Sequence, residues 1–307
     1  MKSAKLKYIA AMLIFGSVGL FVRHIPLASA QIALGRGVIG CLVLLVLMFF
    51  LRKKISGKRI LADIWILVFS GTAIGINWIF LFQAYRYTTI ANATICYYMA
   101  PVFVIFLSPF VLKEKLTVVK AGCILAAVAG IWLMTGSGGA AGDVRTGFAR
   151  GGDDWAGILY GLGAAAFYAA VILLNKFFRH VTDFERTVIQ LGFAAFSLLP
   201  YVLVTKQGSM EALTITGVIL LLAVGSVHTG LAYYLYFSGL HALKGQTAAL
   251  LSYLDPLTAI LLSALILREK IGVWQVLGGV LILGGTLLNE AYPFTGKNTP
   301  PEKQPKN

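Results

Sequence analysis

Apolar residues run almost without interruption through ten stretches of the chain, roughly 6–24, 29–51, 61–84, 89–112, 117–136, 155–175, 184–205, 213–240, 244–267 and 271–291, parted by short polar or basic segments. Each stretch is about 20 residues long, enough to cross ~30 Å of hydrocarbon as a helix. The runs are continuously apolar rather than alternating, so they predict helices and not barrel strands, with every backbone hydrogen bond made inside the segment.

The pattern also repeats. Pro101-Val102-Phe103 through Leu112-Lys113-Glu114-Lys115 aligns with Pro256-Leu257-Thr258 through Leu267-Arg268-Glu269-Lys270 at an offset of 155 residues, and the same offset carries Ser108 onto Ser263, Tyr98 onto Tyr253 and Gly130 onto Gly285. The expected architecture is an all-α membrane protein of ten transmembrane helices arranged as two inverted five-helix repeats. The inversion follows from the odd number of spans per half. The halves are residues 5–136 and 155–291, joined by a glycine-rich linker at 137–154. The tail at 292–307 holds four of the nine prolines with lysines and polar residues, a composition that predicts disorder. Gly71-x-x-x-Gly75 and Gly157-x-x-x-Gly161 predict close helix approach and nothing more. A proline at matching depth in each half, Pro101 and Pro256, predicts a kink in the fourth and ninth helices beside a binding site near the midplane.

Composition agrees with a membrane protein: 58% of the 307 residues are hydrophobic and 12% charged, at a mean hydropathy of +0.83. The net charge of +14 is not a nucleic-acid footprint. With the amino terminus assigned to the cytoplasm, 18 Lys and Arg fall in cytoplasmic segments and 7 on the other side, with Arg36 inside a helix. That split is the positive-inside bias and puts both termini in the cytoplasm, in the cytoplasmic (inner or plasma) membrane. Ala28-Ser29-Ala30 has the form of a signal-peptide cleavage site, but cleavage would leave nine helices and break the match between halves, so the first helix reads as an uncleaved anchor. Cys41, Cys96 and Cys123 lie in separate helices with no C-x-x-C spacing and read as small buried side chains. No cofactor or metal is expected.

On these residues the chain resembles a ten-helix member of the drug/metabolite transporter superfamily, of the EamA type with two EamA repeats, over nearly all of 5–290. The paired Pro-to-Glu-Lys blocks carry the resemblance. Phe15-Gly16-Ser17, Arg36 and Ala84-Tyr85-Arg86-Tyr87 support it, with Phe15 where many members have tryptophan. The resemblance implies a secondary transporter or exchanger, often an exporter of amino acids or related metabolites, with a central cavity between the halves.

Asp255 is the sharpest candidate for chemistry. It lies about eleven residues into the ninth span, roughly 15 Å along, and an ionisable group at that depth is a functional hypothesis by default. Ser252, Asp255 and Thr258 share one face, so a polar stripe beside Pro256 is expected. His228 lies mid-membrane in the eighth span, with Ala232 and Tyr236 on its face. Arg36 must pair, bind an anion or snorkel outward. Asn77, Trp78, Asn92, Tyr98, Gln190 and Tyr253 complete the expected lining. Glu114 and Glu269 read as structural, at the positive end of the following helix.

An intramembrane hydrolase is the rival class, but Ser226 and His228 sit two positions apart on one helix, about 200° apart, and cannot share a hydrogen bond. No H-E-x-x-H, Walker loop or paired metal-binding motif occurs. The chain is therefore read as a transporter and not an enzyme, with a small-molecule substrate and the lipid bilayer as partners and protons as candidate coupling ions. An uncoupled facilitator or exchanger stays open, as do monomer and homodimer.

Overall fold

The computed structural model describes residues 2–52, 55–113, 116–136, 154–205, 214–240, 243 and 245–291. Glu114, Lys115, the linker up to residue 153 and the tail from 292 lie outside the described residues. The described chain is helical, without a strand. The ten membrane helices are α1 (Lys2–Arg23), α2 (Ser29–Phe50), α3 (Ile64–Tyr87), α4 in two segments (Ile90–Tyr97 and Ala100–Val111), α5 (Val118–Gly136), α6 (Asp154–Asn175), α7 (Asp183–Thr205), α8 (Ile215–Gly225, a π-helical turn Ser226–Leu231, then Ala232–Leu240), α9 in two segments (Gly245–Ser252 and Leu254–Leu265) and α10 (Val273–Ala291). Seven of them are long and apolar enough to cross a membrane, while α5, the second segment of α9, and α10 contribute shorter apolar stretches. Phe49, Trp65, Leu125, Trp132, Phe196 and Leu265 stand exposed on the outside, a costly arrangement in water and the expected one against lipid.

The helices pack across the repeats rather than within them. In one group α1 lies against the last segment of α8 and the second segment of α9; in the other, α6 lies against α3 and α4. Each group thus takes one helix from one half and two from the other. The remaining helices pair as α2 with α7 and α5 with α10. This is the arrangement an inverted repeat must give, because a two-fold axis in the membrane plane exchanges the groups. The glycines show it at atomic scale: a Cβ on Gly130 would meet the Gly278 carbonyl at 2.7 Å, and one on Gly285 would meet the Cys123 carbonyl at 3.4 Å, the same contact moved by 155 residues. Gly71 and Gly75 seat α3 on α7, Gly161 seats α6 on α4 and Gly157 seats it on Thr88 in the turn before α4, the close approach that their spacing predicts.

The prolines break the helices one turn before themselves. Pro101 has no N–H for the carbonyl of residue 97, and Pro256 has none for that of Ser252; α4 is interrupted at Tyr98–Met99 and α9 at Tyr253. Shortly after each second segment comes a matching left-handed residue, Lys113 at φ 57° and Arg268 at φ 54°, and the latter turns the chain sharply into Glu269.

Candidate functional site

Between the two helix groups lies a cavity of about 580 Å³. The first group contributes Gly16, Tyr233, Tyr236, Ser252, Tyr253 and Asp255; the second contributes Asn77, Trp78, Tyr97, Tyr98, Pro101 and Tyr168. Arg36 from α2 and Gln190 from α7 complete the polar wall. The lining reaches helix ends at Asn175, Arg186 and Leu240, which share the face of the amino terminus. Toward the opposite face the lining includes Val18, Thr94 and the buried Tyr85, two residues from the end of α3.

At the centre, the Tyr98 hydroxyl stands 3.0 Å from Asp255 Oδ2 and donates to it, and it is 3.5 Å from the Ser252 carbonyl that Pro256 leaves without its helical partner. One hydroxyl thus joins the break in α4 to the break in α9, and one helix group to the other. Close approach makes this possible. A Cβ on Gly16 would lie 2.4 Å from the Asp255 carbonyl oxygen, so only glycine lets the α1 backbone rest on the start of the second segment of α9. The expected polar stripe is split by the same contact: Ser252 and Asp255 line the cavity, whereas Thr258 packs on Gly16 and its hydroxyl donates to the Leu254 carbonyl at 2.6 Å.

Arg36 is buried and does not snorkel. Its Nε donates to Thr229 Oγ1 at 2.8 Å, and its guanidinium carbon sits 4.4 Å over the Trp78 ring and 5.7 Å from that of Phe82. Asp255 is not its ion-pair partner, since that carboxylate faces Tyr98. Asn77 lines the cavity and donates to the Ala164 carbonyl of α6 at 2.6 Å. Gln190 donates to Ser70 Oγ at 2.8 Å and to Asn175 Oδ1 at 3.0 Å. The Tyr253 hydroxyl donates to Thr286 Oγ1 at 2.7 Å.

Three expected residues are not in the cavity wall. His228 is buried toward α1, its Nε2 3.0 Å from Ser17 Oγ, its Nδ1 3.3 Å from the Ala223 carbonyl and its ring 4.5 Å from Phe21. Asn92 is buried in the first turn of α4, where its side chain donates to Thr88 Oγ1 at 3.2 Å. Pro256 is buried behind the wall that Pro101 joins. Sequence reading missed Thr229, which holds Arg36, and most of the tyrosine lining (Tyr97, Tyr168, Tyr233). The available signal for the latter was the density of tyrosines at mid-helix depth in α4, α6 and α8.

Glu269 also departs from expectation. Its carboxylate does not cap the following helix. It accepts from the Arg23 guanidinium at the end of α1, from the Ile90 N–H at the start of α4 at 3.0 Å, and from the Ser263 hydroxyl. These bonds lie on the face opposite the amino terminus, and the one to Ile90 joins the two helix groups at the positive end of α4.

A broken-helix pair around a cavity that holds a carboxylate and a guanidinium not paired with each other, built from an inverted repeat, is the architecture of a membrane transporter. The chain belongs to the EamA-like transporter family, whose pattern matches residues 3–136 and again 155–290. It is similar to the uncharacterized transporter YxxF of Bacillus subtilis, 28% identical over 286 residues covering 93% of this chain and 89% of that one. An uncharacterized transporter of Archaeoglobus fulgidus is 27% identical over 290 residues, 94% of this chain and 96% of the relative. A solved crystal structure shares the fold at a TM-score of 0.62 and 19% identity, covering 94% of this chain and 96% of that one.

Proposed function

We propose that this transporter is a secondary active transporter or exchanger that moves small zwitterionic metabolites, amino acids or close relatives, outward across the cytoplasmic membrane by alternating access. One observation carries the reading: a single cavity between the helix groups holds a carboxylate, Asp255, and a guanidinium, Arg36, that do not pair with each other. A zwitterion offers an ammonium to the first and a carboxylate to the second. The tyrosine-rich wall suits an apolar or aromatic side chain between them. The lining reaches helix ends on the face with the amino terminus, which the basic-residue count assigns to the cytoplasm, and this supports a mouth that takes substrate from inside. Alternating access then requires the Glu269 contacts to part while the mouth closes. Tyr98 shares Asp255 between substrate and the opposing helix group, so a substrate ammonium or a proton on that carboxylate competes with the contact between groups.

Flux in proteoliposomes tests the reading. Purified protein is expected to exchange labelled amino acids in a pH-dependent manner, and Asp255→Asn to insert normally and lose that dependence. Normal flux with an unchanged pH profile in Asp255→Asn overturns the coupling role, and wild-type flux indifferent to pH favours an uncoupled exchanger. A cysteine at Ser56 is expected to label from the cytoplasm and one at His24 from outside; the same side for both refutes the orientation.

A further inference from the structure

The π-helical turn Ser226–Leu231 interrupts α8 at the level of the cavity. In an α-helix a threonine hydroxyl turns back to the carbonyl three or four residues earlier. Here the Thr229 hydroxyl reaches five residues back, to the Val224 carbonyl at 3.0 Å, and the His228 ring likewise approaches Ala223. The wide turn brings Thr229 against α2, where it is fully buried and in contact with Gly40 and Arg36. Its one proton is committed to Val224, so the oxygen facing Arg36 can only accept. A guanidinium has five N–H donors in a fixed plane. One, on Nε, is held by Thr229, and one face of the plane is covered by Trp78. Among the described residues no acceptor is bonded to the terminal nitrogens, and Arg36 lines the cavity.

We infer that Thr229 and the π turn are a positioning device for the anion subsite. Thr229 fixes the rotation of the guanidinium plane so that the terminal nitrogens present a two-pronged donor to a substrate carboxylate, and Trp78 fixes its tilt. The inference rests on the reading of Arg36 as the carboxylate-binding group. It assigns the specificity for a planar anion to a residue that never touches the substrate. π turns recur at functional sites because they re-aim a few side chains without disturbing the rest of a helix. This one moves a single hydroxyl onto the one cation in the cavity wall that lies deep in a span.

The test compares L-phenylalanine with its methyl ester, which keeps the ring and the ammonium and lacks the carboxylate, by equilibrium binding to purified full-length protein in detergent. Wild type is expected to prefer the acid, and Arg36→Gln to erase the preference. Wild type that binds both equally or neither, or Arg36→Gln that keeps the preference, overturns the reading of Arg36 and the inference with it. Thr229→Val preserves shape and removes the acceptor. It is expected to weaken the acid roughly tenfold, the scale of a hydrogen bond to a charged group, and to leave the ester unchanged. Thr229→Ser is expected to restore the acid. If Thr229→Val does not insert, Thr229→Cys, a weaker acceptor of similar size, is expected to lie between serine and wild type on one side and Arg36→Gln on the other. An Arg36→Gln effect with no acid-selective loss in Thr229→Val or Thr229→Cys, or an equal loss for acid and ester, overturns the positioning role alone.

Discussion

On the alternating-access reading, Glu269→Gln is the sharpest perturbation of the face opposite the mouth. The carboxylate is held by a guanidinium, a helix-terminal N–H and a hydroxyl, and the side chains of Glu269 and Arg23 are 9% and 17% exposed, so solvent screening is slight. Glutamine is the same size. Its amide oxygen replaces one acceptor, but the charge and the second acceptor go. A hydrogen bond to a charged group is worth about 1.5–3 kcal/mol, so the closed arrangement is expected to lose about 2 kcal/mol relative to any state in which the face is open. That is roughly a 30-fold shift in the ratio of the two. Spin labels at His24, after α1, and at Trp155, at the start of α6, lie on different helix groups at this face, and both positions are exposed. On a background lacking the three cysteines, the distance distribution between them is expected to gain a longer component in Glu269→Gln. Arg23→Gln should do the same, and the double variant less than the sum, because the two remove one interaction. A distribution indistinguishable from wild type in a properly folded Glu269→Gln refutes the latch.

Tyr98→Phe removes one hydroxyl that ties the two groups; about 1.5 kcal/mol, or roughly tenfold, of the same ratio is expected to move in the same direction, read with the same label pair. Gly16→Ala forces a Cβ to 2.4 Å from the Asp255 carbonyl oxygen and 2.7 Å from Thr258 Cβ, and an overpacking cost of about 1–3 kcal/mol should appear as a melting temperature several degrees lower, with flux lost. Wild-type melting in that variant would show that α1 does not rest on α9. At the mouth face, burial alone would push the Asp63 carboxyl up, but the His180 ring and the backbone N–H groups of His180 and Val181 donate to it and hold it below the usual carboxylate range. A depressed carboxylate contributes stability above its unfolded pKa, ~3.9, and loses it as the pH falls through the folded value. Asp63→Asn is therefore expected to lower melting at pH 7 and to flatten the acid limb of the pH–stability curve below about pH 4.

The spans, the inversion and the two breaks were legible in the sequence, because lipid demands continuous apolar runs and a proline acts wherever it stands. Depth was argued from the sequence for Asp255, Arg36 and His228, and the first two line the cavity while His228 does not. Rotation was not legible. Reading α8 with a uniform period of 3.6 puts His228 on one face with Tyr236. The extra residue of the π turn breaks that phase, so Tyr233 and Tyr236 line the cavity while His228 faces Ser17 on α1. No local signal in Ser226–Leu231 marks the wide turn. Glu269 was misread for a related reason. The left-handed Arg268 sends the chain back on itself, so the carboxylate points to α1 and α4 rather than along α10.

The repeat supplies the scaffold, and its departures supply the chemistry. At the 155-residue offset Asp255 corresponds to Ala100, Arg36 to Leu191, Asn77 to Ala232 and Ser252 to Tyr97. Ala100 and Leu191 also line the cavity, so the equivalent places exist in both halves and are charged in only one. Tyr98 and Tyr253 are twins, yet the first crosses to Asp255 and the second bonds Thr286 in its own half. Had both halves carried the carboxylate and the guanidinium, the two-fold axis would have made two sites of opposite polarity, and a zwitterion would bind either way round. Asp255 and Arg36, the acid and the base of the lining that lie deep in their helices, give the cavity a fixed electrical axis, while the backbone around it keeps the near-symmetry that alternating access asks for. On the proposed reading, a bound zwitterion keeps one orientation relative to Asp255 and Arg36 whichever side it enters from, with Asp255, on the kinked α9, facing its ammonium in both access states.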